Sequence, residues 1–281
     1  MSEQPTQLFR KVPAARGLAW VSGSWELVRR QPLRLLLIAL FFQFFLGFSQ
    51  SNVFGLLVIL CLPLLSAGML HAFFLVERGE KPILAVLFKP FTVKRSLSHL
   101  LLLGGTVMAL GLLIVSLVLA GQVLDIDPEI ISRIEQGDLD ALQLIDPQIM
   151  ENALLAMALG AAISGSITYF SVPLIWFKNL GMGGAIMMGL KAMVRNWRPL
   201  LLIGVLLGLL AVPIALLFGA FYLSALNDGS AASWLAFLLM LLGPMFQLLL
   251  FGTQYLAFRD IFDLDVSVDG HSPGKADQLV A

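Results

Sequence analysis

Long apolar runs alternate with short polar and basic segments along most of this chain. Six of these runs reach or approach the about 20 residues that a helix needs to cross the hydrocarbon core of a membrane. They cover residues 33–49, 53–76, 100–124, 153–177, 200–226 and 231–258. The pattern predicts six transmembrane helices in an all-α, polytopic membrane protein.

Three further segments have the amphipathic pattern of helices that lie in the plane of the membrane interface. They cover residues 17–31, 83–96 and 183–198. In the third, four apolar residues recur at steps of 4, 3 and 4, namely Ile186, Leu190, Met193 and Trp197. Lys191 and Arg195 lie on the opposite face. Each such helix precedes a pair of apolar runs, and this order predicts three units.

Short sequence repeats support this division. VRRQPLRLLL at 28–37 and VRNWRPLLLIG at 194–204 mark the same junction between an interfacial helix and a membrane helix. PLLSAGMLHAFFLVER at 63–78 and PMFQLLLFGTQYLAFR at 244–259 have the same number of residues from proline to arginine. We expect three parallel hairpin units related by an axis along the membrane normal, which differs from the inverted repeats of many transporters. The middle unit matches least, because Pro90 interrupts its interfacial segment.

Basic residues are distributed very unequally between the two sides of a six-helix arrangement. Of the 18 Lys and Arg residues, 17 fall on the side of both termini and only Arg133 falls on the other. The positive-inside rule then places both termini in the cytoplasm. Joining the first two runs into one bent helix would place five basic residues on the wrong side. We therefore expect a hairpin around residues 49–52.

The composition agrees with a membrane protein and limits the chemistry. Hydrophobic residues make up 58% of the chain, charged residues 13%, and the mean hydropathy is +0.89. Soluble domains are roughly half apolar and about a quarter charged. The single cysteine, Cys61, excludes an intrachain disulfide and a cysteine-based metal site. We expect one membrane domain over residues 1–262 and a flexible cytoplasmic tail over 263–281.

The segment 125–151 is predicted to be an acidic periplasmic loop. It carries eight acidic residues against Arg133 alone. Two interpretations stay open, an acidic docking surface or the ordinary solvation of an exported loop. Asp127 before Pro128 and Asp146 before Pro147 are each typical of an N-cap followed by a proline at the first helical position. They predict a short helix ending near Gly137 and a membrane helix beginning near Pro147.

Residues that could carry chemistry are nearly absent from the six runs. No Asp, Glu, Lys or Arg lies in the middle of any of them, and His71 is the one histidine within them. This argues against a carrier that uses buried carboxylates. Ser164 and Gly165 resemble half of an intramembrane protease motif, but His71 lies at a different predicted depth. Phosphate loops and zinc motifs are missing, so we expect no enzyme, no cofactor, no metal and no nucleic-acid partner.

Two local features are interpreted as structural. Gly204 with Gly208, and Gly160 with Ser164, have the spacing that lets membrane helices approach closely, and we expect packing within the chain. Prolines at 63, 173 and 244 fall within the returning helices. They either adjust helix shape or build a gate from three related kinks.

The GLAW segment at 17–20, the VRRQP junction at 28–32, the six helices and the closing QYLAFRDIF at 254–262 resemble an uncharacterised family of bacterial, mainly proteobacterial, inner-membrane proteins. They are more distantly similar to the membrane domain of some glycerophosphoryl diester phosphodiesterases. The resemblance spans nearly the whole chain and implies a six-helix inner-membrane domain without established activity. The phosphodiesterase barrel is absent, so its catalysis does not follow.

Tyr255, Arg259 and Asp260 are the residues that match the ending of that family. Tyr255 and Arg259 lie four residues apart, on one helix face. They are either an aromatic-belt residue with a basic anchor, or contacts to a lipid headgroup or an adjacent helix. Tyr255 and Asp260 have no counterpart in the 63–78 repeat, so we place any specific function of this stretch there.

We expect a non-enzymatic scaffold or accessory protein that engages anionic headgroups on the cytoplasmic side and a membrane-protein partner. The candidate contacts are Arg29, Arg30, Arg78, Lys191, Arg195, Trp197, Tyr255, Arg259 and Asp260. The alternative is an uncoupled channel or transporter for a small or lipid-like solute. Its path would be lined by Gln43, Ser116, Ser164, Thr168, Tyr169, Gln247 and Gln254.

Overall fold

The structure, a computed structural model, describes residues 9–48, 54–120, 127–136, 141, 144–227 and 232–265. Every regular element within these residues is helical, which confirms the all-α prediction. The α-helices are α1 (Arg16–Arg30), α2 (Pro32–Gly47), α3 (Phe54–Glu77), α4 (Lys89–Thr92), α5 (Lys94–Val118), α6 (Pro128–Glu135), α7 (Pro147–Lys178), α8 (Met182–Arg195), α9 (Trp197–Asn227) and α10 (Ala232–Phe262).

Five of these helices, α3, α5, α7, α9 and α10, are long and apolar enough to cross a membrane. A sixth span is formed if α1 and α2 are counted together, although the two are bent by 104°. The chain is therefore a multi-pass membrane protein. The predicted hairpin turn around residues 49–52 lies outside the described residues.

The bend between α1 and α2 has a local cause. Proline lacks a backbone N–H and disfavours helical geometry in the preceding residue. Gln31 accordingly leaves the helical region, at φ −141° and ψ 57°, and Pro32 begins α2. The direction change makes α1 a separate helix, as the sequence predicts.

Both predicted N-caps are confirmed. The Asp127 carboxylate accepts a hydrogen bond from the Glu129 backbone N–H at 2.9 Å, and Pro128 begins α6. The Asp146 carboxylate accepts from the Gln148 N–H at 2.8 Å, and α7 follows. Each cap satisfies an N–H that the first helical turn leaves without a partner.

The prediction of one continuous interfacial helix over residues 83–96 is wrong. A 3-10 helix over Leu84–Phe88 leads into the four-residue α4, and Val93 is extended at φ −97° and ψ 97°. Pro90 falls in the short α4. Lys94 and Arg95 instead form the first turn of α5, which begins six residues before the predicted start at 100.

Helices α1 and α8, which the sequence predicts to lie in the membrane interface, each have two apolar faces. In α1 the apolar residues Leu18, Val21, Trp25 and Val28 also recur at steps of 3, 4 and 3, and this predicted stripe is partly turned outward, with Leu18 58% and Trp25 44% exposed. The protein buries the neighbouring stripe of Gly17, Trp20, Ser24 and Leu27, together with Val28 of the predicted stripe. In α8 the buried residues are the small Ala185, Gly189 and Ala192, while Leu190 is exposed, as is Trp197 at the start of α9. Small residues allow close helix approach, and the larger apolar residues stay exposed.

By residue contacts the chain forms two compact units. The first contains residues 1–39, 69–86 and 198–281, and the second contains 40–68 and 87–197. Within the first unit, α1 packs along α10. Within the second unit, α7 packs against both α5 and α8.

The small-residue prediction picked the wrong glycines. A Cβ added to Gly160, Gly204 or Gly208 would meet open space, so these residues mediate no close approach within the described chain. A close approach occurs instead at Gly104 of α5, where an added Cβ would stand 2.2 Å from the carbonyl oxygen of Leu60 in α3. Helices α3, α7 and α10 continue through Pro63, Pro173 and Pro244.

Candidate functional site

The first compact unit contains a group of ionised and hydrogen-bonding side chains at the ends of three helices. Its members, which we call the Asp260 cluster, are Arg16 and Trp20 of α1, Glu77 of α3, and Tyr255, Arg259 and Asp260 of α10. Tyr255 is fully buried and Asp260 is 4% exposed. An acid this deeply buried is rare in proteins unless it is paired.

Asp260 lies at the centre of the cluster. Its Oδ2 accepts a hydrogen bond from the Trp20 indole N–H at 2.8 Å and forms an ion pair with the Arg16 guanidinium. Its Oδ1 lies 3.1 Å from Nη2 of Arg259. Both carboxylate oxygens are thereby occupied by donors, as a buried carboxylate requires.

Glu77 extends the cluster to α3. Its Oε2 accepts a hydrogen bond from the Tyr255 hydroxyl at 2.5 Å, and its Oε1 pairs with Nη1 of Arg259. Arg259 therefore lies between two carboxylates, one from α3 and one from its own helix. The hydrogen-bonded chain runs from Tyr255 through Glu77, Arg259 and Asp260 to α1.

The electrostatics of the cluster are balanced. Two arginines face two carboxylates, so the formal charges sum to zero. Removing such charges from water is costly, and replacing a whole buried pair by apolar residues is often neutral or stabilising. Deleting one partner alone is costly, because it leaves an uncompensated buried charge. We therefore interpret the cluster as fixing the position of α1 against α10 and α3, and not as a large net source of stability.

The packing beside the cluster requires a glycine. At Gly252 of α10 an added Cβ would lie 2.3 Å from Oγ of Ser24 and 2.9 Å from the Phe73 ring. Ser24 in turn donates a hydrogen bond to the Leu249 carbonyl at 3.2 Å. The absence of a side chain at 252 lets α1 approach α10 closely enough for the Asp260 contacts.

The segment before α1 is fastened to the same helix end. The Arg10 backbone N–H donates to the Ile261 carbonyl at 2.8 Å, and its guanidinium donates to the Asp260 carbonyl. The rings of Phe9 and Phe262 lie 6.1 Å apart. Asp260 thus holds α1 through its side chain and the preceding segment through its backbone.

A cavity of about 170 Å³ opens beside the cluster. Its charged lining residues are Arg16, Glu26, Arg30, Glu77, Arg259 and Asp260. Trp20, Leu27 and Leu256 supply apolar wall. All of these residues belong to the first compact unit.

The structure separates the nine predicted contact residues into two groups. Five are exposed, namely Arg29, Arg30, Lys191, Arg195 and Trp197. The other four face protein partners. Arg78 pairs with Glu80 at 3.2 Å and lies over the Phe74 ring, and the remaining three, Tyr255, Arg259 and Asp260, join the Asp260 cluster.

The interpretation of Tyr255 and Arg259 as an aromatic-belt residue and a basic anchor is therefore corrected. Tyr255 has no exposed surface, and its hydroxyl donates to a carboxylate. Arg259 repeats Arg78 in sequence but not in role, because Asp260 follows it where Gly79 follows Arg78.

Sequence reasoning missed Arg16, Trp20 and Glu77 as members of a site. The neighbouring opposite charges at Glu77–Arg78 and Arg259–Asp260, both at helix ends, were an available signal. The spacing of Gly17, Trp20 and Ser24 along one face of α1 was another. Neither pattern identifies its partners, which lie 178 to 244 residues away along the chain.

The predicted solute path draws on residues of both units, Gln247 and Gln254 in the first and the other five in the second. Ser116 is exposed, and the Thr168 hydroxyl donates to the Ser164 carbonyl of its own helix at 2.8 Å. The path remains a prediction.

Fold and site together define a multi-pass, all-α membrane protein with a charge-neutral cluster where three helices end. No group of three or more His, Cys, Asp or Glu residues arranged to hold a metal ion occurs in the described ranges. Comparison with models of known families, with curated proteins and with solved structures found no match to this chain.

Proposed function

We propose that this chain is a non-enzymatic scaffold or accessory protein of the bacterial inner membrane, with both termini cytoplasmic. In this proposal, three hairpin units present their interfacial helices to anionic headgroups and to a membrane-protein partner. The resemblance to six-helix inner-membrane proteins and the 17 to 1 distribution of basic residues support it.

The observation that carries the proposal is the division of α1 into two faces. One face is fixed to the protein through Trp20 and Arg16. The other exposes Leu18 and Trp25, and the helix ends in the exposed Arg29 and Arg30. A helix that shows large apolar side chains beside basic ones is suited to the interface of an anionic membrane.

We expect the exposed basic residues to give a preference for anionic lipid. A triple variant, Arg29→Gln with Lys191→Gln and Arg195→Gln, should lose that preference. Each basic residue near an anionic surface contributes about 1 kcal/mol, so the loss of all three should weaken the binding of anionic lipid roughly a hundredfold. Quenching of tryptophan fluorescence by brominated phosphatidylglycerol, compared with brominated phosphatidylcholine, measures it in reconstituted protein.

The matched control is Arg133→Gln, since Arg133 is the one basic residue assigned to the opposite side. It should leave the lipid preference unchanged. An equal preference in wild type and triple variant would contradict the proposal.

A second candidate is the uncoupled channel or transporter. The side chain of Gln247 favours transport, because its amide oxygen Oε1 is buried without a hydrogen-bond partner among the described residues. Solute flux into liposomes that Gln247→Leu abolishes would support transport over the scaffold.

A further inference from the structure

The cavity beside the Asp260 cluster has an unusual arrangement of charge. Its inner wall carries the four cluster charges, which neutralise one another. Its outer wall carries Glu26 and Arg30, one helical turn apart on α1. Both are exposed, and neither side chain forms a hydrogen bond or ion pair with another described residue. The cavity therefore offers a ligand one negatively charged acceptor, the Glu26 carboxylate, and one positively charged donor, the Arg30 guanidinium.

This pair discriminates between ligand classes. A simple anion attracted by Arg30 would be repelled by Glu26, and a simple cation attracted by Glu26 would be repelled by Arg30. A group that carries both charges a few atoms apart satisfies both side chains without leaving a net charge. Arginine also matches phosphate oxygens with two parallel donors, and a carboxylate accepts from an ammonium group.

We propose that this cavity binds a phosphate ester that carries a primary ammonium group, as in a phosphoethanolamine headgroup. Arg30 receives the phosphate and Glu26 the ammonium. Trp20, Leu27 and Leu256 contact the intervening methylene groups. A cavity of about 170 Å³ holds several water molecules or one small polar headgroup.

The proposal rests on the lipid-engaging function proposed above and names one headgroup class for it. It uses different residues from the general anionic preference, since Arg29, Lys191 and Arg195 do not line the cavity. The two proposals can therefore fail separately.

The test is native mass spectrometry of the full-length, detergent-solubilised protein titrated with three probes. These are phosphatidylethanolamine, phosphatidylglycerol and soluble glycerophosphoethanolamine. In wild type, phosphatidylglycerol should bind independently of Glu26, whereas phosphatidylethanolamine should bind through both Glu26 and Arg30. Glu26→Gln and Arg30→Gln should each weaken that binding about tenfold, as for the loss of one charge-assisted hydrogen bond.

A third variant leaves every charge in place. Ala19 lines the cavity and is exposed, so Ala19→Met should fill the site and reduce binding without disturbing the cluster. The matched control is Glu151→Gln, an exposed acid in α7 of the other unit. It should bind like wild type.

Binding of the soluble probe as well as the lipid would support the site with a free compound as its ligand. Binding of the lipid alone would support it with a membrane headgroup. A phosphatidylethanolamine affinity that is unchanged in Glu26→Gln, or a phosphatidylglycerol affinity that falls by the same factor in that variant, would overturn the proposal. If the anionic preference still depends on Arg29, Lys191 and Arg195 in that case, the proposed function stands without it.

Discussion

Asp260→Asn is expected to lower the free energy of unfolding by about 3 kcal/mol, the low end of the losses seen when one partner of a buried ion pair is removed. The substitution keeps the shape of the side chain but removes the charge that faces two arginines. The Arg259 side chain, 30% exposed, would retain only Glu77. Arg16 is 45% exposed and recovers part of its hydration, which is why the low end applies. Thermal or denaturant unfolding of the purified protein measures the loss.

Asp263→Asn is the matched control, three residues further along. The Asp263 side chain is 90% exposed and lies 3.8 Å from the Arg10 guanidinium. Exposed pairs contribute about 0 to 1 kcal/mol, so the expected change is small. If both asparagine variants lose the same stability, the Asp260 cluster does not hold the unit together.

Gly104→Ala is expected to destabilise the second unit. The new Cβ would stand 2.2 Å from a backbone carbonyl oxygen of α3, and a backbone atom moves aside less readily than a side-chain tip. Overpacking of this kind costs about 1–3 kcal/mol. This cost should exceed the stability, about 0.5–1 kcal/mol, that is gained when alanine replaces glycine within a helix. The midpoint of thermal unfolding should therefore fall.

The neighbouring Gly105→Ala tests the same argument with the opposite sign. Its Cβ would lie 3.7 Å from a Leu60 methyl group, an ordinary contact distance. Only the gain in helix propensity remains, so this variant should be neutral or slightly more stable. A fall in stability at 105 equal to that at 104 would show that the close approach of α3 and α5 is wrong.

The helices were predictable from sequence because their causes are local. Apolar length gives the spans, Asp127 and Asp146 give the caps, and Pro32 gives the break after α1. The middle interfacial segment failed for a reason that is also local. Pro90 lies in its centre, and the backbone is extended at Val93 just after it.

The Asp260 cluster was not predictable to the same degree because its contacts are distant in sequence. Counting charges treated Arg16 and Arg259 as markers of topology, without regard to the carboxylate that each would meet. Residue type and predicted depth leave Tyr255 open to two interpretations, an aromatic-belt residue or a contact to a headgroup or helix, and only its hydrogen bond to Glu77 decides between them.

The hydrophobic periodicity of α1 also could not predict which of its two apolar sides is buried against the protein. Both stripes repeat at steps of three and four, so amphipathic spacing alone does not select between them. The stripe with Gly17 and Ser24 is buried because small residues let α1 approach its neighbours, and Trp20 in the same stripe finds a hydrogen-bond acceptor in Asp260. The larger Leu18 and Trp25 are left outside.

The central claim is that Asp260 holds α1 against α10 and so presents the other face of α1 outward. Hydrogen exchange of the amides of residues 16–30, in reconstituted wild type, Asp260→Asn and Asp263→Asn, measures this most directly. We expect faster exchange across α1 in Asp260→Asn alone, with α5 and α7 unchanged, because the variant releases that helix locally. Exchange in α1 that is the same in all three proteins would contradict the claim.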